Sequence, residues 1–229
     1  MDHKLLMKNH LIFIFTIILI GCTYKPKEKR LTQFKNNDDK IIESFYSVQG
    51  DTIEFIRLLT NHDVLTIKEG RIWFGEYALT HQKFKQTFKL KNTSQNVDSL
   101  LTLYKNDGRV SKLGNERDVM FIQIVPDTTM GTIEALGFLN LRQEVEAEID
   151  DVLRNKSLGE WFAGDMGAGG NMLFFIDNWS PAIQVVKAEL KKHELLDHVL
   201  ITKRIMLSSD NWNYEIVYPA EYEGGFNQM

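Results

Sequence analysis

Residues 158–177, LGEWFAGDMGAGGNMLFFID, decide the fold. A short β-prone run ending at Asp165 leads into a glycine-rich link, and an uninterrupted apolar run from Met172 to Ile176 follows it. Strands of four to eight residues bounded by glycine have this form. On either side the periodicity changes from strand to helix.

Upstream, LRQEVEAEIDDVLRN (141–155) places Leu141, Val145, Ile149, Val152 and Leu153 on one helical stripe. Downstream, SPAIQVVKAELKKHELLDH (180–198) opens with Ser180 as N-cap and Pro181 at the first helical position, then carries Ile183, Val186, Leu190 and His193 on one side. VLITKRIML (199–207) reads as the next strand and WNYEIVYP (212–219) as another. Before the first helix lies VMFIQIV (119–125), a β-rich run, and TIEALGFLN (132–140) follows as a hairpin partner or successive strand. The reading is α+β, an antiparallel sheet with helices packed on one face.

Strand, helix, strand, strand, helix, strand is the order of the ferredoxin-like βαββαβ sandwich. Residues 132–207 resemble the bacterial domains of this layout that carry a glycine-rich link between the two central strands. The resemblance rests on element order and GDMGAGG, and it implies a fold without implying catalytic residues.

The first half mixes the two periodicities. DTIEFIRLL (51–59) has Asp51 as an N-cap, Glu54 three residues on, and Phe55 and Leu59 at helical spacing, which predicts a helix. VLTIKEGRIWFGEYAL (64–79) reads as a hairpin turning at Glu69 and Gly70. KFKQTFKLK (83–91) alternates, with Phe84, Phe88 and Leu90 on one face and lysines on the other. SQNVDSLLTLYKNDG (94–108) is a helix capped at Ser94, with Val97, Leu100, Leu101 and Tyr104 on one face, stopping at Asp107 and Gly108.

The start of the chain concerns location. Lys4 and Lys8 precede an apolar run from Leu11 to Ile20, which Gly21 and Cys22 end. A membrane span needs about 20 apolar residues, whereas a signal-peptide core needs about 7 to 15. The run falls in the second class. LIGC (19–22) resembles the lipobox of bacterial lipoproteins, which implies cleavage before Cys22 and attachment of acyl lipid, palmitate among its chains, to the Cys22 thiol. Two or more acyl chains hold a protein stably at a membrane. The implied address is outside the cytoplasm, at the inner leaflet of an outer membrane or the outer face of a single cell membrane.

The expected organisation is a signal peptide over 1–21, a lipidated cysteine and flexible tether over 22–40, a mixed α/β subdomain over 41–115 and a ferredoxin-like subdomain over 116–229. The net charge of -4 becomes slightly more negative once Asp2, Lys4 and Lys8 are removed, which argues against nucleic acid as a partner. Cys22 is the only cysteine, so its lipidation leaves no disulfide and no thiolate metal site.

Candidate chemistry is sparse. Gly164, Asp165, Gly167, Gly169 and Gly170 could form an anion-binding nest, but a phosphate loop opens a helix and here a strand follows, so a glycine-rich hairpin with a bulge or close helix contact is favoured. His193 and His198 are five residues apart, off the four-residue spacing that aims two ligands alike, and His193 reads as a helix-end residue on terminal carbonyls. Glu146, Glu148, Asp150 and Asp151 read as a solvated helix face. Trp212, Tyr214 and Tyr218 share one strand face by alternation, either as core or as a contact surface for protein or glycan. No metal, cofactor or catalytic residue is assigned. The expectation is a lipid-anchored envelope protein acting as a binding or interaction module, with the membrane and an envelope protein as partners. The alternative is a periplasmic hydrolase using Asp, Glu or His residues that the sequence does not bring together.

Overall fold

The structure, a computed structural model, describes residues 31–35, 39–75, 79–113, 116–126, 131–167, 169–208 and 210–228. Cys22, the signal segment and most of the expected tether lie outside the described residues. In chain order the elements are β1 (Lys40–Gln49), β2 (Thr52–Asn61), β3 (Val64–Phe74), β4 (Leu79–Lys91), α1 (Ser94–Asn106), β5 (Asp118–Ile124), α2 (Thr132–Asn155), β6 (Gly159–Asp165), β7 (Gly170–Ile176), α3 (Trp179–Lys192), β8 (Val199–Ser208), β9 (Asn211–Tyr218) and β10 (Gly224–Asn227). The fold is α+β with two antiparallel five-stranded sheets where one was expected. Their strand orders are β1-β2-β3-β4-β10 and β6-β7-β5-β8-β9.

In the first sheet, residues 52–61 form a strand and not the expected helix. Ile53 and Phe55 join one buried cluster with Tyr46 and Ile72, while Ile56 and Leu58 join another with Phe45 and Ile67. Both faces are covered, so apolar residues occur at strand spacing on each side, and their overlap imitates a helical stripe. Residues 64–74 are one continuous strand, with no turn at Glu69 and Gly70. A side chain at Gly70 would meet the Phe55 ring at 2.6 Å, which is why glycine stands there. A bulge opposite Glu69 and Gly70 leaves Lys85 outside the register, since Gly70 pairs with Phe84 and Glu69 with Gln86. The bulge separates Phe84 from Phe88 and Leu90, which therefore do not share a face. Phe84 packs in the inner cluster, while Phe88 and Leu90 are exposed on the other side.

Helix α1 covers the outer face of this sheet through Leu100, Leu101 and Tyr104. Its N-cap is Thr93, one residue before the expected Ser94, with Thr93 Oγ1 accepting from the Asn96 amide at 3.2 Å.

In the second sheet, residues 132–140 belong to α2 and do not form a strand. The first strand of that region is β5. Helices α2 and α3 pack on one face, where Val145, Ile149, Leu153, Val186 and Leu190 meet Met120, Ile122 and Phe174. Each of the aliphatic side chains, with no exposed area, contributes about 1.5–3 kcal/mol of burial. Asn178, not Ser180, is the N-cap of α3, which puts Pro181 at its third position. The opposite face carries Phe121, Leu173 and Ile216, closed by Phe226 of β10 and Phe34. Residues 31–35, expected in the tether, are docked on this body: the Thr32 amide donates to the Val125 carbonyl at 2.9 Å and that of Phe34 to Asp197 at 2.7 Å.

β9 is the edge of its sheet, and side chains of the first sheet occupy its free backbone. The Ile216 amide donates to Gln82 Oε1 at 3.0 Å, and the Ile216 carbonyl accepts from Arg57 Nη2 at 2.8 Å and Gln82 Nε2 at 3.3 Å. Polar side chains thus close an edge that would otherwise pair with another chain.

Candidate functional site: a cleft beside Glu215

The inner face of β1 meets β9 around a buried carboxylate. Glu215 Oε1 accepts from Ser44 Oγ at 2.8 Å, from Arg57 Nε at 2.9 Å and from Arg57 Nη2 at 2.6 Å, and its Oε2 accepts from the Tyr46 hydroxyl. Burial, followed by the adjacent Glu215 charge, pushes the Tyr46 phenol well above its ordinary value, so it stays protonated and donates. All four donors are fixed by strand register, because Ser44, Tyr46 and Arg57 lie on paired positions of β1 and β2.

This cluster forms one wall of a cleft of about 380 Å³. The start of β1 supplies Ile41, Glu43 and Ser44, the first turns of α3 supply Trp179, Ile183 and Lys187, and β8 and β9 supply Lys203, Val217 and Tyr218. Lys187 Nζ lies 4.6 Å from the Tyr218 ring centre, and Lys203 Nζ lies 5.3 Å from that of Trp179. Cation–π contacts of this kind hold the ammonium groups against the walls. Burial raises the Glu43 carboxyl above the ordinary glutamate range, against the opposing effects of the Ser44 amide and the Lys203 charge. Its Oε1 accepts from the Ser44 amide at 3.3 Å. The volume and the mixture of apolar walls with a few fixed polar groups are those of a small-molecule site.

Of the candidate binding residues proposed from the sequence, only Tyr218 lines this cleft. Tyr214 is buried in the cluster on the other side of the sheet, and Trp212 is 41% exposed. The three aromatics do not share a face. Ile216 pairs with Thr202 and Tyr218 with Ile201, so Val217 is an extra residue and the alternation shifts by one.

The glycine run 164–170 forms the β6–β7 hairpin. Asp165 Oδ1 accepts from the Gly167 amide at 2.8 Å and from Asn171 Nδ2 at 2.7 Å, and Asn171 Oδ1 accepts from Gln123 Nε2 at 2.9 Å. A side chain at Gly164 would meet Glu146 and Arg142 of α2, one at Gly169 the Ile124 carbonyl, and one at Gly170 the Phe138 ring. Close approach of α2 and of the β5 backbone is what these positions accommodate.

The scattered acids and histidines have separate partners. Asp177 pairs with Arg117 at 2.9 Å, and His198 Nδ1 lies 3.0 Å from the Thr32 carbonyl oxygen. The His193 ring meets Glu148 at 3.0 Å, not the helix-end carbonyls, although its backbone amide does bond to those of Glu189 and Lys191. Among the described residues no three His, Cys, Asp or Glu side chains are grouped to hold a metal ion. Likewise no helix among them is long and apolar enough to cross a membrane.

Sequence reasoning missed Ser44, Tyr46, Arg57, Lys203 and Glu215. A signal was present: Arg57 and Glu215 are the charges that interrupt the runs Phe55–Leu59 and Tyr214–Tyr218. Opposite charges inside two otherwise apolar strands predict pairing. Comparison with protein-family models, curated proteins and solved structures finds no match.

Proposed function

We propose that this chain is a lipid-anchored protein of the bacterial cell envelope, held by lipid on Cys22, whose folded body acts as a binding module through the cleft beside Glu215. We read its second half as a ferredoxin-like βαββαβ sandwich extended by β9. The element order β5-α2-β6-β7-α3-β8 and the strand order β6-β7-β5-β8 support that reading. Binding follows from one observation. Glu215 accepts from four donors of the chain itself and is charge-paired with Arg57, so its carboxylate is held as a fixed part of the cleft wall.

The hydrolase alternative has one specific observation in its favour, the Ser44 hydroxyl donating to Glu215 at 2.8 Å. Among the described residues, no histidine lines the cleft to serve that serine as a base. The anchor is tested by metabolic labelling with a clickable fatty acid: wild type takes the label and Cys22→Ala does not. Continued labelling of the variant overturns the lipoprotein reading.

A further inference from the structure

Side chains close the edge at β9, but the edge at β4 is left open. β10 pairs with β4 only over Leu79–Gln82, and the outward amide of Phe84 donates to Glu223 Oε1 at 2.7 Å. At the far end of β4 the Asn92 amide donates to the Asp63 carbonyl at 2.7 Å. Antiparallel pairs alternate, so Leu65 with Leu90 and Ile67 with Phe88 bond within the sheet, while Thr87, Lys89 and Lys91 direct their amides and carbonyls away from β3. The Lys91 carbonyl accepts from Asn96 Nδ2 at 2.8 Å. Among the described residues the remaining outward groups of these three have no partner, and every residue from Lys85 to Lys91 is exposed. Phe88 and Leu90, 48% and 43% exposed, stand on the outer face of this edge, and Lys89 and Lys91 alternate with them on the inner face. Lys85 is paired with Glu54 at 2.6 Å, whereas among the described residues no carboxylate is salt-bridged to Lys89 or Lys91. Asp39 and Asp63 line the open groove of about 690 Å³ on the inner face, but the edge itself, residues 85–91, carries no acid.

We infer that β4 accepts an extended segment of a partner protein as an added strand, one in which acidic residues alternate with apolar ones. Backbone bonds to Thr87, Lys89 and Lys91 supply the affinity. Acids beside Lys89 and Lys91, with apolar side chains beside Phe88 and Leu90, select the partner, since cross-strand pairs of opposite charge and of apolar residues each stabilise a sheet. Two β4 edges laid together would instead place the lysines of both copies on one face, so the same residues that attract an acidic strand discourage self-pairing. None of residues 85–91 lines the cleft beside Glu215, and the two surfaces are independent.

The test is fluorescence anisotropy on the full chain in detergent with three labelled peptides: Glu-Val-Glu-Val-Glu-Val, Lys-Val-Lys-Val-Lys-Val, and the acidic peptide N-methylated on its glutamates. The acidic peptide binds saturably, and the other two bind at least about tenfold more weakly. Thr87→Pro removes an outward amide without touching a bond to β3, and weakens the acidic peptide about tenfold with far-UV circular dichroism unchanged. The double variant Lys89→Glu with Lys91→Glu, which leaves the backbone edge in place, loses the acidic peptide and gains the basic one. No saturable binding of the acidic peptide, equal binding of its N-methylated form, or undiminished binding to the lysine double variant overturns the inference. If the full chain dimerises by itself and Thr87→Pro makes it monomeric, the occupant is a second copy and the inference is likewise overturned.

Discussion

Arg57 and Glu215 are 158 residues apart in sequence and meet at 2.6 Å between the two sheets, with 0% and 1% of their side chains exposed. Arg57 also donates to the carbonyls of Ala220 at 2.9 Å and Ile216 at 2.8 Å. Nearly every polar atom of the pair is occupied by protein, which is the condition under which a buried ion pair is tolerated. Arg57→Met leaves Glu215 charged and unpaired in the interior and is expected to lower stability by about 3–5 kcal/mol in urea denaturation. The double variant Arg57→Met with Glu215→Met recovers a large part of that loss. A double variant no more stable than the single one would show that the pair itself, and not the stranded charge, carries the energy.

Two glycines of the β6–β7 hairpin should respond differently to the same methyl group. At Gly164 it would meet Glu146 Oε2 at 2.5 Å, Arg142 Nη1 at 2.6 Å and the Asn171 carbonyl oxygen at 2.7 Å, two of them in an ion pair and one in the backbone. At Gly167 its nearest neighbour is Asp165 Oδ1 at 3.3 Å. Gly164→Ala is therefore expected to cost about 1–3 kcal/mol and Gly167→Ala clearly less, read from paired thermal melts. Equal costs would mean that α2 does not press on the hairpin.

Glu43 gives a pH dependence with a definite sign. Burial raises its folded-state value above the ordinary 4.5, so the folded protein holds the proton more tightly than the unfolded chain. Its stabilising contribution is complete below 4.5 and is lost as pH rises through the raised value. Glutamine keeps an oxygen for the Ser44 amide and removes the titration. The Tm of Glu43→Gln should rise relative to wild type as pH increases from about 4 to about 7, with the difference vanishing at the acid end. A difference constant with pH would remove Glu43 from the account.

The second half was the more legible part of the sequence. Val145, Ile149 and Leu153 repeat at helical spacing because α2 has only one buried stripe, and the run 172–176 is continuous because β7 is an interior strand with apolar clusters on both faces. The first half misled where a strand is covered on both sides. In β2 the alternation of Ile53 and Phe55 with Ile56 and Leu58 serves two clusters at once, and no period survives in their sum. Gly70 imitated a turn because the sequence does not reveal the ring of Phe55 above it. At the cleft, the charges on β2 and β9 were visible, but their meeting depends on how the two sheets pack, which no local pattern encodes.

β10 lies downstream of every strand of the second sheet, yet it pairs with β4 in the first: Gly224 faces Gln82 and Asn227 faces Leu79. Until that sequence has been made, the first four strands expose a guanidinium on their inner face and an unfilled edge at β4. A nascent chain holding only β1 to β4 thus lacks both the partner of Arg57 and the strand that covers the β4 edge. Placing one four-residue strand at the end of the chain thus makes completion of the first sheet wait on synthesis of the second.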